Sequence, residues 1–288
     1  WIETPLREGV QTHGISLNRP AVISSTVDSW TEDGLSLAAA SVTGNVDPTQ
    51  PHYLEIISGP LSGNRLDVDL TEAGLLAIDW SAEHNTLISI PEDSGDWLGH
   101  QVVVRPHWTL SQVYAKDTFI GSNVPEEADQ VLFFNGTNFD TYFLLQAEGY
   151  DQWVAQADDE LKSADHQIIP PGVGSFIQRP EGAEAIELML TGEARASAFA
   201  QPLVAGYNLL ASPRPIDLDF ESRALLLSDG FLGIRDPDAT DQIQLWQGGN
   251  NPSQLGYESY FLLDAGEGHQ HRTEIGPDLP NVNATKLF

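Results

Sequence analysis

Three carboxylates stand close together in the stretch DPDATD, at Asp236, Asp238 and Asp241. Oxygens at this spacing in a proline-containing loop can converge on Ca2+, a hard cation that takes about six to eight oxygen ligands in flexible geometry. The loop lacks the glycine and the distal glutamate of an EF-hand, and a solvated acidic turn accounts for the same residues. The solvated turn is the preferred reading, so the sequence calls for no cofactor, with Ca2+ as the alternative. The matching stretch VPEEAD carries Glu126, Glu127 and Asp129. A second set is His269 and His271, flanked by Glu267 and Glu274. Two apart on a strand, the imidazoles share a face and can hold Zn2+ or Cu2+. A polar hairpin turn is the preferred reading, because nothing nearby completes a closed set of ligands. A third set is aromatic: Trp246, Tyr257, Tyr260 and Phe261, with Phe133, Phe134, Tyr142, Phe143, Tyr150 and Trp153 earlier in the chain. Exposed rings on a β-sandwich can stack on sugars, which makes extracellular glycans candidate partners. The doublets Phe133-Phe134 and Tyr142-Phe143, however, put one ring inward and one outward on any strand, so at least half of the rings belong to a core.

The familiar signatures of catalysis are missing from the sequence: a Gly-x-Ser-x-Gly elbow, a His-Glu-x-x-His pair, a phosphate-cradling glycine loop and a cysteine nucleophile. PPGVGS at 170–175 lacks the third glycine of a dinucleotide loop and leads into a strand, so it reads as a turn. With 42 acidic residues, a pair of glycosidase carboxylates cannot be singled out. The sequence supports a non-enzymatic protein.

The elements that would position these residues are written twice. DTFIGSNVPEEADQVLFFNGTN, from Asp117, returns as DGFLGIRDPDATDQIQLWQGGN, from Asp229, with eight of 22 positions identical and no gap. Six extra residues follow in the second copy before Tyr142-Phe143-Leu144-Leu145 returns as Tyr260-Phe261-Leu262-Leu263. The register predicts that the copies share one β fold, with Phe119 and Phe231, and Phe134 and Trp246, at equivalent core positions. Elsewhere the pattern is short alternating runs broken by Gly, Pro, Asn and Asp. Leu66, Val68 and Leu70 alternate with Asp67 and Asp69, and YLEIIS, NTLISI, HQVVVRP, QVLFF, TYFLLQ, GSFIQR and AIELMLTG all read as strands. Helical periodicity is confined to TLSQVYAKDTF and DFESRALLLSDGF. The expected fold is all-β, with sandwich- or barrel-like domains, a tandem duplicated β unit and one or two short helices. Its divisions are a first β domain over 1–105 with an extended N-terminal segment, copy one over 106–200 and copy two over 201–288.

Composition bounds the partners. There are 42 acidic against 13 basic residues, a net charge of −29, and three lysines (Lys116, Lys162, Lys286). Such a surface repels phosphate backbones and anionic lipid, so nucleic acid is not expected as a partner, nor membrane insertion, since no stretch has the length of a transmembrane span. It also suits concentrated salt, where self-repulsion is screened; a secreted protein of a salt-tolerant microbe and an ordinary acidic surface both fit. The chain has no cysteine, which excludes disulfides without deciding the compartment. It starts at Trp1 rather than methionine, as a processed, exported protein would.

The ordered series YLEIISGPLSGNRLDV, VRPHWTLSQVY, YFLLQAEGYDQWV, IIPPGVGSFIQR, LMLTGEA, GYNLLASPRP and YFLLDAGEG resembles a family of uncharacterised exported β-rich bacterial proteins with a duplicated C-terminal β unit. The shared features are a Ser-Gly-x-x-x-Gly turn, a Pro-Pro-Gly-x-Gly strand entry and a Gly-Tyr-Asn-Leu entry to the second repeat. The resemblance implies an all-β fold and secretion, and no catalytic residue. In the family an aromatic follows the Gly-rich turn after YFLL. Trp153 fits that place in copy one, whereas copy two has GHQHR.

The expected function is therefore that of an exported structural protein, a self-assembling subunit of an extracellular filament or surface layer. The alternative is a carbohydrate-binding or adhesive cell-surface module. Copy two ends before a counterpart of Ala185–Gly192. The N-terminal segment, with Trp1, Ile2, Leu6 and Val10, could donate a strand to that edge of a neighbour near Phe288, and head-to-tail repetition would make a filament. The competing outcome is that the segment folds back on its own chain.

Overall fold

The computed structural model describes residues 1–31, 34–38, 44–71, 75–87, 98–216, 232–233, 239–246, 256–264 and 269–272. Three strands open the chain: β1 (Ile2–Leu6), β2 (Gly9–Gly14) and β3 (Leu17–Asn18). Six more follow: β4 (Ile23–Thr31), β5 (Gly34–Leu37), β6 (His52–Ile56), β7 (Arg65–Leu70), β8 (Leu76–Ile78) and β9 (Gln101–Pro106). These close into a barrel in the order β4-β5-β8-β7-β6-β9, and closure leaves no free sheet edge. The alternation of Leu66 and Val68 fills the interior, where they meet Leu35, Leu54, Leu76 and Val104. On β6 every residue is buried. Tyr53 and Glu55 alternate with the inward-facing Leu54 and Ile56, so the outer face of this strand is also covered.

After the barrel come β10 (Trp108–Thr109) and α1 (Leu110–Val113), a single turn with Leu110 and Val113 buried. Only this turn of TLSQVYAKDTF is helical; DFESRALLLSDGF lies outside the described residues. Then follow β11 (Gln130–Phe134), β12 (Phe139–Ala147), β13 (Tyr150–Ala155), β14 (Ile168–Ile169), β15 (Gly174–Arg179), β16 (Ile186–Leu190) and β17 (Glu193–Ala194). The main sheet runs β13-β12-β11-β15-β2, while β1 pairs with β16, β3 with β17 and β10 with β14. One face of this sheet packs Val131, Leu144, Trp153 and Ile177 against Tyr114 and Phe119. The other face buries Phe143, Leu145 and Val154 under Ala128. The doublet Tyr142-Phe143 thus sends one ring to each face, with Phe143 buried in one core and Tyr142 half-buried against the other. The fold is all-β, as the alternation predicts, and among the described residues no helix is long and apolar enough to cross a membrane.

Two compact units emerge, Trp1–Glu8 with His13–Arg214, and Gly9–Thr12 with Pro215–Phe288. The barrel and copy one therefore fall in a single unit, without the division drawn near 105, and the unit ends at Arg214 rather than near 200. The reason is pairing: β1 and β3 hydrogen-bond to β16 and β17 of copy one.

In the second unit, β18 (Gln242–Trp246), β19 (Tyr257–Asp264) and β20 (His269–Arg272) form a three-stranded sheet. Its register repeats that of copy one. Gln130 faces Phe143 and Phe134 faces Phe139 in the first copy; Gln242 faces Phe261 and Trp246 faces Tyr257 in the second. The six added residues sit in the connection between the strands and leave the ladder intact. Phe134 and Trp246 are equivalent as the repeat requires. Both, however, are half-buried at the loop end of a hairpin, packed at an angle against Phe139 and Tyr257 with ring centroids at 5.3 and 5.0 Å, rather than in a core. Phe119 is buried, and Phe231 lies outside the described residues.

Candidate functional site

The repeated aspartate has a local task. In copy one the Ile120 N–H donates to Asp129 Oδ2 at 2.7 Å and the Asp129 N–H returns to the Ile120 carbonyl at 2.8 Å. In copy two the Leu232 N–H donates to Asp241 Oδ2 at 2.7 Å and the Asp241 N–H returns to the Leu232 carbonyl at 2.9 Å. Asp241 thus closes a loop through one carboxylate oxygen. Asp236 and Asp238 lie outside the described residues, within which no group of three or more His, Asp or Glu is placed to hold a metal ion. His269 and His271 lie on β20, where His271 takes the register position that Trp153 holds in copy one. Trp1, Ile2, Leu6 and Val10 lie at or in β1 and β2. Leu6 is buried and its carbonyl accepts from Arg179 Nη1 at 3.3 Å, while Trp1 is 79% exposed. The N-terminal segment is folded back within its own chain, and Phe288 is outside the described residues.

The three turn motifs of the sequence converge on one junction. After β17 the chain crosses the outer face of the barrel, and Arg195 and Ser197 both hydrogen-bond Glu55 Oε1. Arg195 Nη2 also donates to Asn18 Oδ1 at 3.0 Å, and Arg105 bridges Glu193 at 2.5 Å. Phe199 lies against two guanidinium groups, Arg65 at 4.0 Å and Arg195 at 5.0 Å from its ring centre. Arg65 donates to the Ala200 carbonyl at 3.0 Å and to Gln201 Oε1 at 2.9 Å. Burial, followed by the charge of Arg195, pulls Arg65 down to about 10, still protonated at neutral pH. The glycines of the motifs mark close approaches. A Cβ on Gly63, of SGPLSG, would stand 3.0 Å from the Ala200 nitrogen, and one on Gly172, of PPGVG, 2.4 Å from Phe199 Cζ. Leu209 and Ala211, of GYNLLA, hydrogen-bond Gly174 and Gly172 at 3.1 and 2.9 Å.

Between these anchors projects the loop Pro202–Asn208, every residue of which is exposed. Asn208 closes it, accepting from the Val204 N–H at 3.1 Å and donating to the Val204 carbonyl at 2.8 Å. Leu203, Val204 and Tyr207 are 50%, 65% and 71% exposed. From Ala196 to Pro213 the chain carries no charged side chain. That uncharged window, in so acidic a sequence, is the signal by which sequence reading could have found the loop.

A second feature is an open groove of about 430 Å³ where β12 and β13 meet the barrel. Tyr142 and Ala155 lie on one side, His84 on another, and the segment Asp158–Ile168 forms a rim. This rim runs back along β13, with the Ala164 N–H donating to the Trp153 carbonyl at 2.7 Å, and so covers that sheet edge. Asp158 holds the turn, accepting from the Glu160 N–H at 3.0 Å and the Lys162 N–H at 3.1 Å. Leu161 takes φ 51°, the one non-glycine left-handed residue among those described, and its carbonyl accepts from Gln152 at 2.8 Å. Burial pulls the His84 imidazole below its ordinary value and pushes the Tyr142 phenol up. Behind His84, with ring centroids 6.1 Å apart, His107 is 2% exposed and hydrogen-bonds Asp67 at 2.8 Å. Nothing in the spacing of His84, Tyr142 and His166 announces this groove, because it arises only when the barrel meets copy one.

Compared with protein-family models, with curated proteins and with solved structures, the chain matches none of them.

Proposed function

We propose that the protein is a non-enzymatic, exported structural protein that associates with itself, and that the loop Pro202–Asn208 is its contact. The observation that carries this reading is an uncharged, apolar projection, closed by Asn208, on a chain of net charge −29. Folding ordinarily hides Leu and Val. Here buried ion pairs and a side-chain clamp hold three large apolar side chains in the open, which suits a surface that a partner covers. A second copy is the partner because charge repulsion between copies is least where neither presents carboxylates. The resemblance to exported β-rich proteins agrees with export and bears on no role beyond it. Association through a donated N-terminal strand is not part of the proposal, since β1 is already paired with β16.

Sedimentation velocity over a range of protein and salt concentrations tests it. Wild type is expected to form oligomers that grow with both. A Val204→Asp/Tyr207→Ser variant, altered only at exposed side chains, should keep the melting temperature and sediment as a monomer. Wild type that stays monomeric at high concentration and high salt, or a variant that assembles as wild type does, overturns the proposal.

A further inference from the structure

We propose that the groove between Tyr142 and His84 is a binding site for neutral, hydroxyl-rich sugar rings of an extracellular polysaccharide. This site is separate from the contact loop, and the inference does not depend on self-association.

The groove has the size of a small-ligand site, within the range of about 300–1,000 Å³. Its chemistry selects the class of ligand. Tyr142 is half-buried, held edge-to-face by Phe133 at 6.0 Å between ring centres. Such a ring gives a fixed apolar platform with a polar tip, suited to the C–H face of a pyranose and its hydroxyls. The other polar side chains lining the groove are mostly uncharged at neutral pH. Burial keeps His84 neutral and Tyr142 protonated, so each can both donate and accept a hydrogen bond. Ser163 and Gln167 add further uncharged donors and acceptors. The two acidic or basic residues lining the groove, Asp158 and Lys162, each have a partner. Asp158 accepts two backbone N–H groups, and Lys162 pairs with Glu160 at 2.6 Å. A carboxylate or phosphate ligand would find one cation in the lining, the solvent-exposed Lys162 beside the Glu160 carboxylate, and would meet the repulsion of a chain of net charge −29.

The rim is preorganised. Leu161 is held left-handed by the Asp158 turn and the Gln152 hydrogen bond, and its side chain packs against the core beneath the sheet. A residue so over-determined presents Lys162 and Ser163 in one geometry, which spares a ligand the cost of ordering them.

Calorimetric titration of the full chain with cellohexaose, xylohexaose, mannohexaose and hexagalacturonate, at neutral pH, tests the site. At least one neutral oligomer should bind with millimolar or tighter affinity, and hexagalacturonate should not. Tyr142→Ala should weaken binding by about tenfold, the worth of one stacked ring. Because Tyr142 also touches the core, His166→Ala and Gln167→Ala, at exposed or half-exposed rim positions, provide a second arm, and amide chemical shifts should move along 158–168 on titration. Failure of every neutral oligomer to bind overturns the proposal, as does binding unchanged in all three variants, or tighter binding of hexagalacturonate. None of these outcomes bears on self-association through Pro202–Asn208, which sedimentation reads separately.

Discussion

His13 shows how one buried side chain sets an acid limit. It is 6% exposed; its Nδ1 lies 2.9 Å from the Tyr114 hydroxyl, which lies 3.1 Å from Ser175 Oγ, and that hydroxyl donates back to the His13 carbonyl at 3.2 Å. Burial depresses the imidazole from 6.5 to about 4. The folded state thus binds fewer protons than the unfolded chain between these values. Stability contributed by neutral His13 is whole above about pH 6.5 and is lost as pH falls toward 4, by about 3 kcal/mol in all. Urea titrations at a series of pH values should show this slope, and His13→Gln should flatten it; an identical slope in the variant would assign the acid loss to other groups. The repeated aspartate gives a second test. Asp129 is fully buried and bonds Arg179 Nε at 3.0 Å, whereas Asp241 is exposed. Asp129→Asn leaves a buried guanidinium without its counter-charge and should cost about 3–5 kcal/mol. Asp241→Asn, which removes the charge from an exposed loop-closing bond, should cost no more than about 1 kcal/mol. Equal costs in urea unfolding would show that the two residues do not differ as their surroundings indicate.

Among the elements, the turn motifs act as fittings for the strap that follows β17. Gly172 has φ 85°, and a Cβ there would meet Phe199 Cζ at 2.4 Å. Gly172→Ala should therefore destabilise through both backbone strain, about 1 kcal/mol, and a steric clash. In a Phe199→Ala background the clash disappears and only the strain remains. The double-mutant cycle should show a coupling of about 1 kcal/mol or more, and additive costs would mean that the ring swings aside. This junction also shows what the sequence could disclose. The strands of copy one, the barrel alternation at Leu66 and Val68, and the duplication were legible because period-two burial and an ungapped register are local properties of the chain. The barrel's closure, the pairing of β1 with β16 and the burial of Glu55 under Arg195 were not. Each joins residues about 75 or more positions apart, and nothing near Glu55 in YLEIIS distinguishes a solvent-facing carboxylate from a buried one. The groove was illegible for the same reason, with His84 and His166 brought together only by packing. PPGVG and SGPLSG form turns, as their glycines and prolines predict, but the close approaches that demand Gly172 and Gly63 come from Phe199 and Ala200, far along the chain.

At the scale of the whole molecule, charge dominates: 42 acidic residues against 13 basic ones. Among the described residues, Arg19, Arg65, Arg105, Arg179, Arg195 and Arg214 have hydrogen bonds or ion pairs inside the fold. Cations drawn inward in this way leave the surface still more acidic than the net charge alone conveys. Self-repulsion of that surface opposes the compact state at low ionic strength. Added salt shortens the screening length from about 10 Å at 0.1 M to about 3 Å at 1 M, which should raise the melting temperature and favour association at the uncharged loop together. Screening is indifferent to the identity of the cation, so NaCl, KCl and choline chloride should give one curve. Calcium separates this general effect from a specific site at Asp236, Asp238 and Asp241. If the loop binds Ca2+, millimolar CaCl2 should raise the melting temperature beyond MgCl2 at equal ionic strength, because a ligand held only by the folded state stabilises by mass action. Asp236→Asn/Asp238→Asn should then remove the excess and leave the salt response intact. Superimposable calcium and magnesium curves would reduce the acidic loop to one contributor among many to the surface charge, with Asp241 serving, like Asp129, to close the turn before its strand.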